Sequence, residues 1–372
     1  MVVDGRYPAT GGAEMQARLV SAALAESGHH VQILAPHLEA QQALKEQIDG
    51  IPVHRLAYPK IKGLGAVILN LRFAAFLLRH RCDFDAIHIH MMHNLAGAAG
   101  WIKPWIRPSI TVKVSGAAEF EGGILDPGLR HRAVHRVLNA GAKRLDAFQC
   151  ISQDTGQIML RAGYPAEKLH FVPNAVDCGR FVHSPISARD FRVVFVGRQV
   201  AVKGLDVLLR AWAETTRPAG ARLVLAGDGP ERPALMQQAS ALGIAETVEF
   251  PGTISDVPAL LAGAAAYVQP SHREGLPNSV LEAMAAGLPV IATRIGGHED
   301  IIAEGETGLL VPPADPGALA AALQRLFENS ELRRRLGDQA AAYVRRNFAT
   351  TVVIERLLDL YRTDIRDAPF HR

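Results

Sequence analysis

Cysteine is scarce in this 372-residue chain: Cys82, Cys150 and Cys178 are widely spaced and odd in number. They make no CxxC pair and no disulfide framework, which suits a reducing compartment. Long apolar runs are missing too. The longest, Gly63 to Leu78, is broken by Asn70 and Arg72 and is too short to span a bilayer. The start, "MVVDGRYPATGGAE", has neither a basic region nor an apolar stretch and so does not read as a secretory signal. There is no P-loop, since "GRQVAVKG" has its Lys without the preceding Gly and without a following Ser or Thr. Nor does a GxGxxG fingerprint follow any apolar run, which argues against a nicotinamide-dependent dehydrogenase. No short-period repeat or low-complexity tract occurs.

What remains is ordinary globular material, 48% hydrophobic and 21% charged, and long enough to predict two domains. The formal charge of +3 conceals an asymmetry. Residues 1–186 hold 20 Lys and Arg against 15 Asp and Glu, the remainder 20 against 22. Twelve of the fifteen histidines also fall in the first part, which is the better candidate for meeting an anionic partner.

From Arg192 onward, apolar runs ("RVVFVG", "ARLVLAG", "TVEFPG", "AAYVQP", "PVIAT", "TGLLVP") alternate with helical patterns such as "GLDVLLRAWAE" and "NSVLEAMAAG". That order predicts a doubly wound parallel sheet. The first half beats similarly, from "HVQILAP" to "KLHFVP", except that only Val2 and Val3 precede Gly11-Gly12. The first strand is therefore expected to be very short or truncated. The polar stretch from Asn174 to Arg192 places the join near residue 183. The expected domains are 1–183 and 184–350, with 351–372 a terminal helix that packs on either half.

Ligands of such sheets bind at the carboxyl ends of the strands. The turns there bring Arg198 and Lys203 before a helix opening at Gly204, then Asp228-Gly229-Pro230, then "HREGLPN" with Pro277 expected at the first helical position. Two cations and a helix N-terminus on one rim make an anion site suited to a diphosphate. Alone, either cation reads more simply as a solvated loop charge. Glu274 stands beside the helix start, within reach of sugar hydroxyls. Glu282 is expected two turns into an apolar helix, where a ribose diol would satisfy its oxygens. The competing reading pairs it with a core arginine.

Glu274 and Glu282 lie within "EGLPNSVLEAMAAGLPVIAT", which resembles the E-x7-E motif of retaining glycosyltransferases of the GT-B fold (glycosyl transferases group 1, family four). The resemblance extends to "VGRQVAVKG", "GDGP", "GGHEDIIAEGETGLLVPPADP", "PATGGAE" and "VPNAVD", and so covers nearly the whole chain. It implies two Rossmann-like domains facing across a cleft, with a nucleoside-diphosphate sugar in the second and an acceptor, a sugar or lipid-linked, in the first. By position, Arg198 and Lys203 would hold the diphosphate, Glu282 the ribose and Glu274 the donor sugar. The amides of Gly275 and Leu276 would take the distal phosphate, with Gly197, Asp228 and Pro277 completing the donor site. Gly11 and Gly12 would approach the same phosphates, and the last helix would cross back to the first domain. Ser115, followed by Gly116, stands on the acceptor side where the family commonly has a histidine, and Ala175 follows Asn174 where a glycine is usual.

The implied reaction is hexose transfer to a hydroxyl with retention, in polysaccharide or glycolipid synthesis, without cofactor and without nucleic acid. A nucleotide-sugar epimerase of the same shape, or a binding module without transfer, are the alternatives. His88, His90 and His93 raise a metal reading, disfavoured because no carboxylate cluster completes a shell. The basic stretch from Leu129 to Arg144 suggests contact with an anionic membrane face, so the expected location is cytoplasmic or peripheral on the inner face. A solvated basic face is the equal alternative for that stretch.

Overall fold

The computed structural model describes residues 1–9, 11–116, 123–129, 131–181 and 191–362. The chain divides into two compact units, Met1–Ala175 with Thr350–Arg372, and Val176–Ala349.

The first unit holds β1 (Val2–Val3), β2 (Ile33–Pro36), β3 (Lys45–Ile48), β4 (Ile51–Leu56), β5 (Ala86–His90), β6 (Ser109–Val114), β7 (Ala147–Cys150) and β8 (Leu169–Phe171). They form one sheet in the order β3-β4-β2-β1-β5-β6-β7-β8. All neighbours are parallel except β3 and β4. The polar "KEQI" of β3 has no alternation to reveal it and is a strand the sequence reading missed. Its pairing follows from Asp49-Gly50, whose φ values of +52° and +75° make the two-residue turn that matches strand twist. β1 is two residues long but central, with Val2 paired to Leu34 on one side and Ile89 on the other. A cavity of about 620 Å³ lies at the amino ends of β1, β2 and β5, lined by Met1, Ile33, Ala86 and Tyr361 among others.

The strand alternation of period two separates two faces. Ile87, Ile89, Ile110 and Val112 pack under helices Leu64–Arg79, Asn94–Ile102 and Ala133–Ala142. On the other face, helix Gly12–Glu26 and helix Thr350–Arg362 meet through Val20, Leu24, Val353, Ile354 and Leu357. The terminal helix thus belongs to the first unit, and its Tyr361 hydroxyl lies 2.6 Å from His88 Nδ1.

The second unit holds β9 (Arg192–Val196), β10 (Arg222–Ala226), β11 (Val248–Gly252), β12 (Ala266–Gln269), β13 (Val290–Thr293) and β14 (Leu309–Val311). The order is β11-β10-β9-β12-β13-β14, all parallel. The chain winds outward from β9 in one direction and then restarts beside it at β12. The carboxyl ends of β9 and β12 are therefore the switch point where such sheets open a crevice. Phe195, Leu208, Trp212, Leu225 and Leu323 fill the core.

The join expected at residue 183 lies outside the described residues, and the division falls instead between Ala175 and Val176. Ala175 is held by the first unit, where Gln16 Nε2 donates to its carbonyl at 2.7 Å and its N–H donates to Gln16 Oε1 at 2.9 Å. Val176 N–H donates to Phe348 O, and Val176 pairs with Ala349 at the other crossing. Gln16 is buried, so Gln16→Ala orphans two backbone groups at once. It should destabilise the first unit by about 2–3 kcal/mol. A urea titration whose first midpoint does not move would show that this clamp is dispensable.

Candidate functional site

Four strand ends of the second unit converge. After β9 the chain runs through Gly197 and Arg198 to a single 3₁₀ turn, Ala201–Lys203, and then Gly204. Gly204 has φ +63°, and a Cβ there would stand 2.2 Å from the Pro270 carbonyl oxygen. A side chain is excluded both by conformation and by space, so the β9 loop lies directly on the β12 loop. The two are stitched by His272 N–H donating to Val202 O at 2.8 Å and by Lys203 Nζ reaching Glu274 Oε1 at 2.5 Å.

The same Glu274 oxygen accepts from Ser271 Oγ at 2.7 Å and Gln269 Nε2 at 2.8 Å. Gln269 in turn accepts from the Tyr267 hydroxyl at 2.7 Å. The β10 turn joins through Gln199, whose N–H donates to Asp228 O and whose side chain donates to Leu225 O and Gly227 O. The β13 turn joins through Thr293 Oγ1 donating to Ser271 O at 2.5 Å, and His298 Nδ1 lies 2.7 Å from Thr293 O.

The two carboxylates of the motif have opposite electrostatics. Glu274 has a side chain only 12% exposed. Burial is the largest influence and would raise its pKa, but the Lys203 charge and the hydrogen bonds from Lys203 and Ser271 together hold it below the usual carboxylate range. Glu282 sits between buried Leu281, Ala283 and Met284, and its carboxyl group has no hydrogen-bond partner among the described residues. Burial pushes its pKa up to about 7, opposed only by the Arg180 charge. Arg180 is exposed and makes no ion pair with it within 4.0 Å, so no core arginine pairs with Glu282 among the described residues. His298 is fully buried, and burial lowers its pKa.

Gly197, Arg198, Lys203, Asp228, Glu274, Gly275, Leu276, Pro277 and Glu282 all stand at or just beyond the carboxyl ends of β9, β10 and β12. Arg198 is exposed, and its guanidinium has no partner among the described residues. Two expected positions change. Pro277 is the cap rather than the first helical residue, with ψ 119°, and the helix runs Asn278–Ala285. Glu282 is consequently about one turn into the helix, not two. In the first unit, Gly11 caps helix Gly12–Glu26 and both glycines are exposed. Ser115 and Gly116 follow β6, Gly116 with φ +119°. Gln269, Ser271, Gln199, Tyr267 and His298 escaped the sequence reading. The available signal was polar residues ending an otherwise apolar strand, as in "AYVQPS". His88 and His90 stack with ring centroids 4.6 Å apart. Among the described residues no group of three or more His, Cys, Asp or Glu could hold a metal ion.

Comparison with known proteins agrees over both units. The profile described as "Glycosyl transferases group 1" matches residues 181–343, and "Glycosyltransferase Family 4" matches residues 10–180. A D-inositol 3-phosphate glycosyltransferase of Salinispora tropica is 30% identical over 94% of this chain and 80% of that protein. An N-acetyl-alpha-D-glucosaminyl L-malate synthase of Bacillus anthracis is 25% identical over 97% and 96%. Among solved structures, sucrose-phosphate synthase from Thermosynechococcus elongatus superposes with TM-score 0.81 at 23% identity, covering 97% of this chain and 98% of that one. Anabaena HepE in complex with UDP gives 0.80 at 21% identity, covering 96% and 97%.

Glu282 generates a pH prediction. Its folded pKa lies above its unfolded value, so its contribution to stability is fully present below about pH 4.5 and is lost as pH rises through about 7. Glu282→Gln should therefore stabilise the ligand-free protein at pH 8 by on the order of 1–2 kcal/mol, and hardly at all at pH 4.5. Thermal melts across that range check it: a gain independent of pH would remove titration of Glu282 as its cause.

Proposed function

The chain belongs to the glycosyl transferases of group 1, family 4, with their GT-B fold, and on that premise we propose that it transfers a hexose from a UDP-sugar to an acceptor hydroxyl with retention at the anomeric carbon. The observation that carries the donor assignment is Glu282. A half-buried carboxyl group that the protein leaves without a hydrogen-bond partner is open to a ligand that supplies one, and the two hydroxyls of a ribose donate in the required pair. Solved neighbours bound to UDP and to UDP-glucose support the choice of base and of hexose class.

In this reading Arg198 and Lys203 meet the diphosphate, and the backbone at Gly275 and Leu276 meets the distal phosphate. Glu274 meets hydroxyls of the donor sugar through the oxygen that Lys203 does not occupy. The bond from the anomeric carbon to the phosphate oxygen breaks as the acceptor oxygen attacks from the same face, and the departing phosphate takes the acceptor proton. The protein's part is electrostatic, because negative charge grows on the diphosphate as that bond breaks. No general base of the chain is required. Ser115 and Gly116 of the first unit serve the acceptor.

We assign the acceptor to the sugar or lipid-linked class, in polysaccharide or glycolipid synthesis. The cations of helix Ala133–Ala142 and its flanks, Arg132, Arg136, Lys143 and Arg144, support contact of the first unit with an anionic membrane face. Among the described residues no helix is long and apolar enough to cross a membrane. Donor consumption with and without membrane extracts tests the reading: turnover of UDP-sugars that is indifferent to any acceptor would favour hydrolysis or epimerisation.

Lys203→Ala should weaken donor binding moderately but lower kcat by about 10²–10³, because a fixed cation interacts more strongly with the transition state than with the ground state. Arg198→Lys should rescue Arg198→Ala only partly, since a point charge does not reproduce the guanidinium fork. Glu282→Ala should weaken UDP binding by about 2 kcal/mol, whereas Glu274→Ala should mainly impair sugar turnover. Steady-state kinetics at saturating donor, with calorimetry of UDP binding, separate these. A normal kcat for Lys203→Ala would leave it as a structural partner of Glu274, and equal losses of UDP affinity in both glutamate variants would break the assignment.

A further inference from the structure

Helix Leu64–Arg79 is apolar on both sides. Its inner residues Leu69, Phe73 and Leu77 are buried in the core of the first unit. Its outer residues Leu64, Val67 and Leu71 are 51%, 54% and 65% exposed, with Ala75 and Leu78 also exposed. At about 100° per residue these five fall within roughly 80° of one another, so they form one outward stripe rather than scattered apolar atoms. A monomeric surface seldom carries such a stripe without use.

The stripe does not stand alone. Helix Leu64–Arg79 packs against helix Asn94–Ile102, which packs against helix Ala133–Ala142. Trp105 just after the second helix is 64% exposed, and Val134 and Val137 on the third are 67% and 55% exposed. Trp101 Nε1 donates to Val137 O at 3.0 Å, and the Arg144 guanidinium lies 4.3 Å over the Trp101 ring, so the second and third helices present one continuous face. None of the three helices contains an Asp or Glu. Exposed Lys62, Arg72, Arg79, Arg107, Arg132 and Arg136 lie on or beside them.

We propose that this three-helix layer is a two-part bilayer-docking surface, in which the cations draw the first unit to anionic headgroups and the Leu64–Leu78 stripe, with Trp105, inserts among the acyl chains near the interface. The proposal rests on the membrane contact assigned above and adds the inserting element and its location. Charge decides the occupant. A second copy of the chain packed on the same face would set arginine against arginine with no carboxylate on these helices to neutralise them. An anionic lipid surface neutralises them, and Trp favours its headgroup boundary.

The test is flotation of the full chain with phosphatidylcholine vesicles, with and without about one third phosphatidylglycerol, comparing wild type with Val67→Glu/Leu71→Glu and with Arg132→Glu/Arg136→Glu. All four positions are exposed and outside the donor site, so UDP binding and circular dichroism should stay unchanged and serve as folding controls. Wild type should float with anionic vesicles. The stripe variant should lose partition by on the order of tenfold or more, and that loss should persist at high salt. The arginine variant should lose its binding mainly at low salt. Absence of wild-type binding to either vesicle would remove the membrane contact altogether. Normal binding of Val67→Glu/Leu71→Glu would leave that contact standing but overturn the inserting stripe. A concentration-dependent dimer abolished by the same pair of substitutions would assign the stripe to a second copy and overturn the proposal.

Discussion

A carboxylate taken almost out of water must be neutralised where it stands, and in the second unit Lys203 does this for Glu274 at 2.5 Å. The pair joins the loop after β9 to the loop after β12, the two strand ends that flank the switch point. Gly204 lets the backbones come close enough for the contact, and Ser271, Gln269 and Tyr267 continue it into the sheet. The position of the cation, the carboxylate and the start of helix Asn278–Ala285 are thus consequences of one another. In the proposed function a donor meets charges already oriented, which is what electrostatic stabilisation of a leaving diphosphate requires.

The motif's second carboxylate shows the opposite solution. Glu282 has comparable burial but no donor from the protein, and its pKa moves up where that of Glu274 moves down. Two carboxyl groups eight residues apart in sequence are pushed apart by environment, a recurrent mark of groups with different tasks. One is completed by the fold, and the other is left without a hydrogen-bond partner among the described residues. In the proposed function an apolar helix keeps an acidic residue near its middle because the cost of its burial is offset in the donor complex rather than in the free protein.

The first unit uses its helices differently. Its sheet is covered on one face by helices Leu64–Arg79, Asn94–Ile102 and Ala133–Ala142, which are acid-free and rimmed with arginine and lysine. Several of the cations in the first half of the chain, Lys62, Arg72, Arg79, Arg107, Arg132 and Arg136, lie exposed on or beside these helices. The opposite face buries polar side chains, His88, His90, Lys113 and Gln149, beside the helix that ends the described chain.

Much of this was legible beforehand. Apolar runs of four to six residues bounded by turns gave parallel strands, and the 3.6-residue patterns between them gave helices, because both periods follow from local backbone geometry. The residues of the candidate donor site, Arg198, Lys203, Asp228, Glu274 and Glu282, were legible through their place after strand ends and through a motif carried by family resemblance. Contacts between distant segments were not. Lys203 and Glu274 are 71 residues apart, and His88 and Tyr361 are 273 apart. The polar edge strand Lys45–Ile48 exists because β4 offers it a partner, not because of any pattern of its own. The division between Ala175 and Val176 was likewise set by the backbone groups that neighbouring segments satisfy on either side of it. The sequence by itself determined the elements and the chemical inventory. Only the tertiary structure decided which charge neutralises which and which apolar face is left uncovered, because both depend on burial and proximity that no local period encodes.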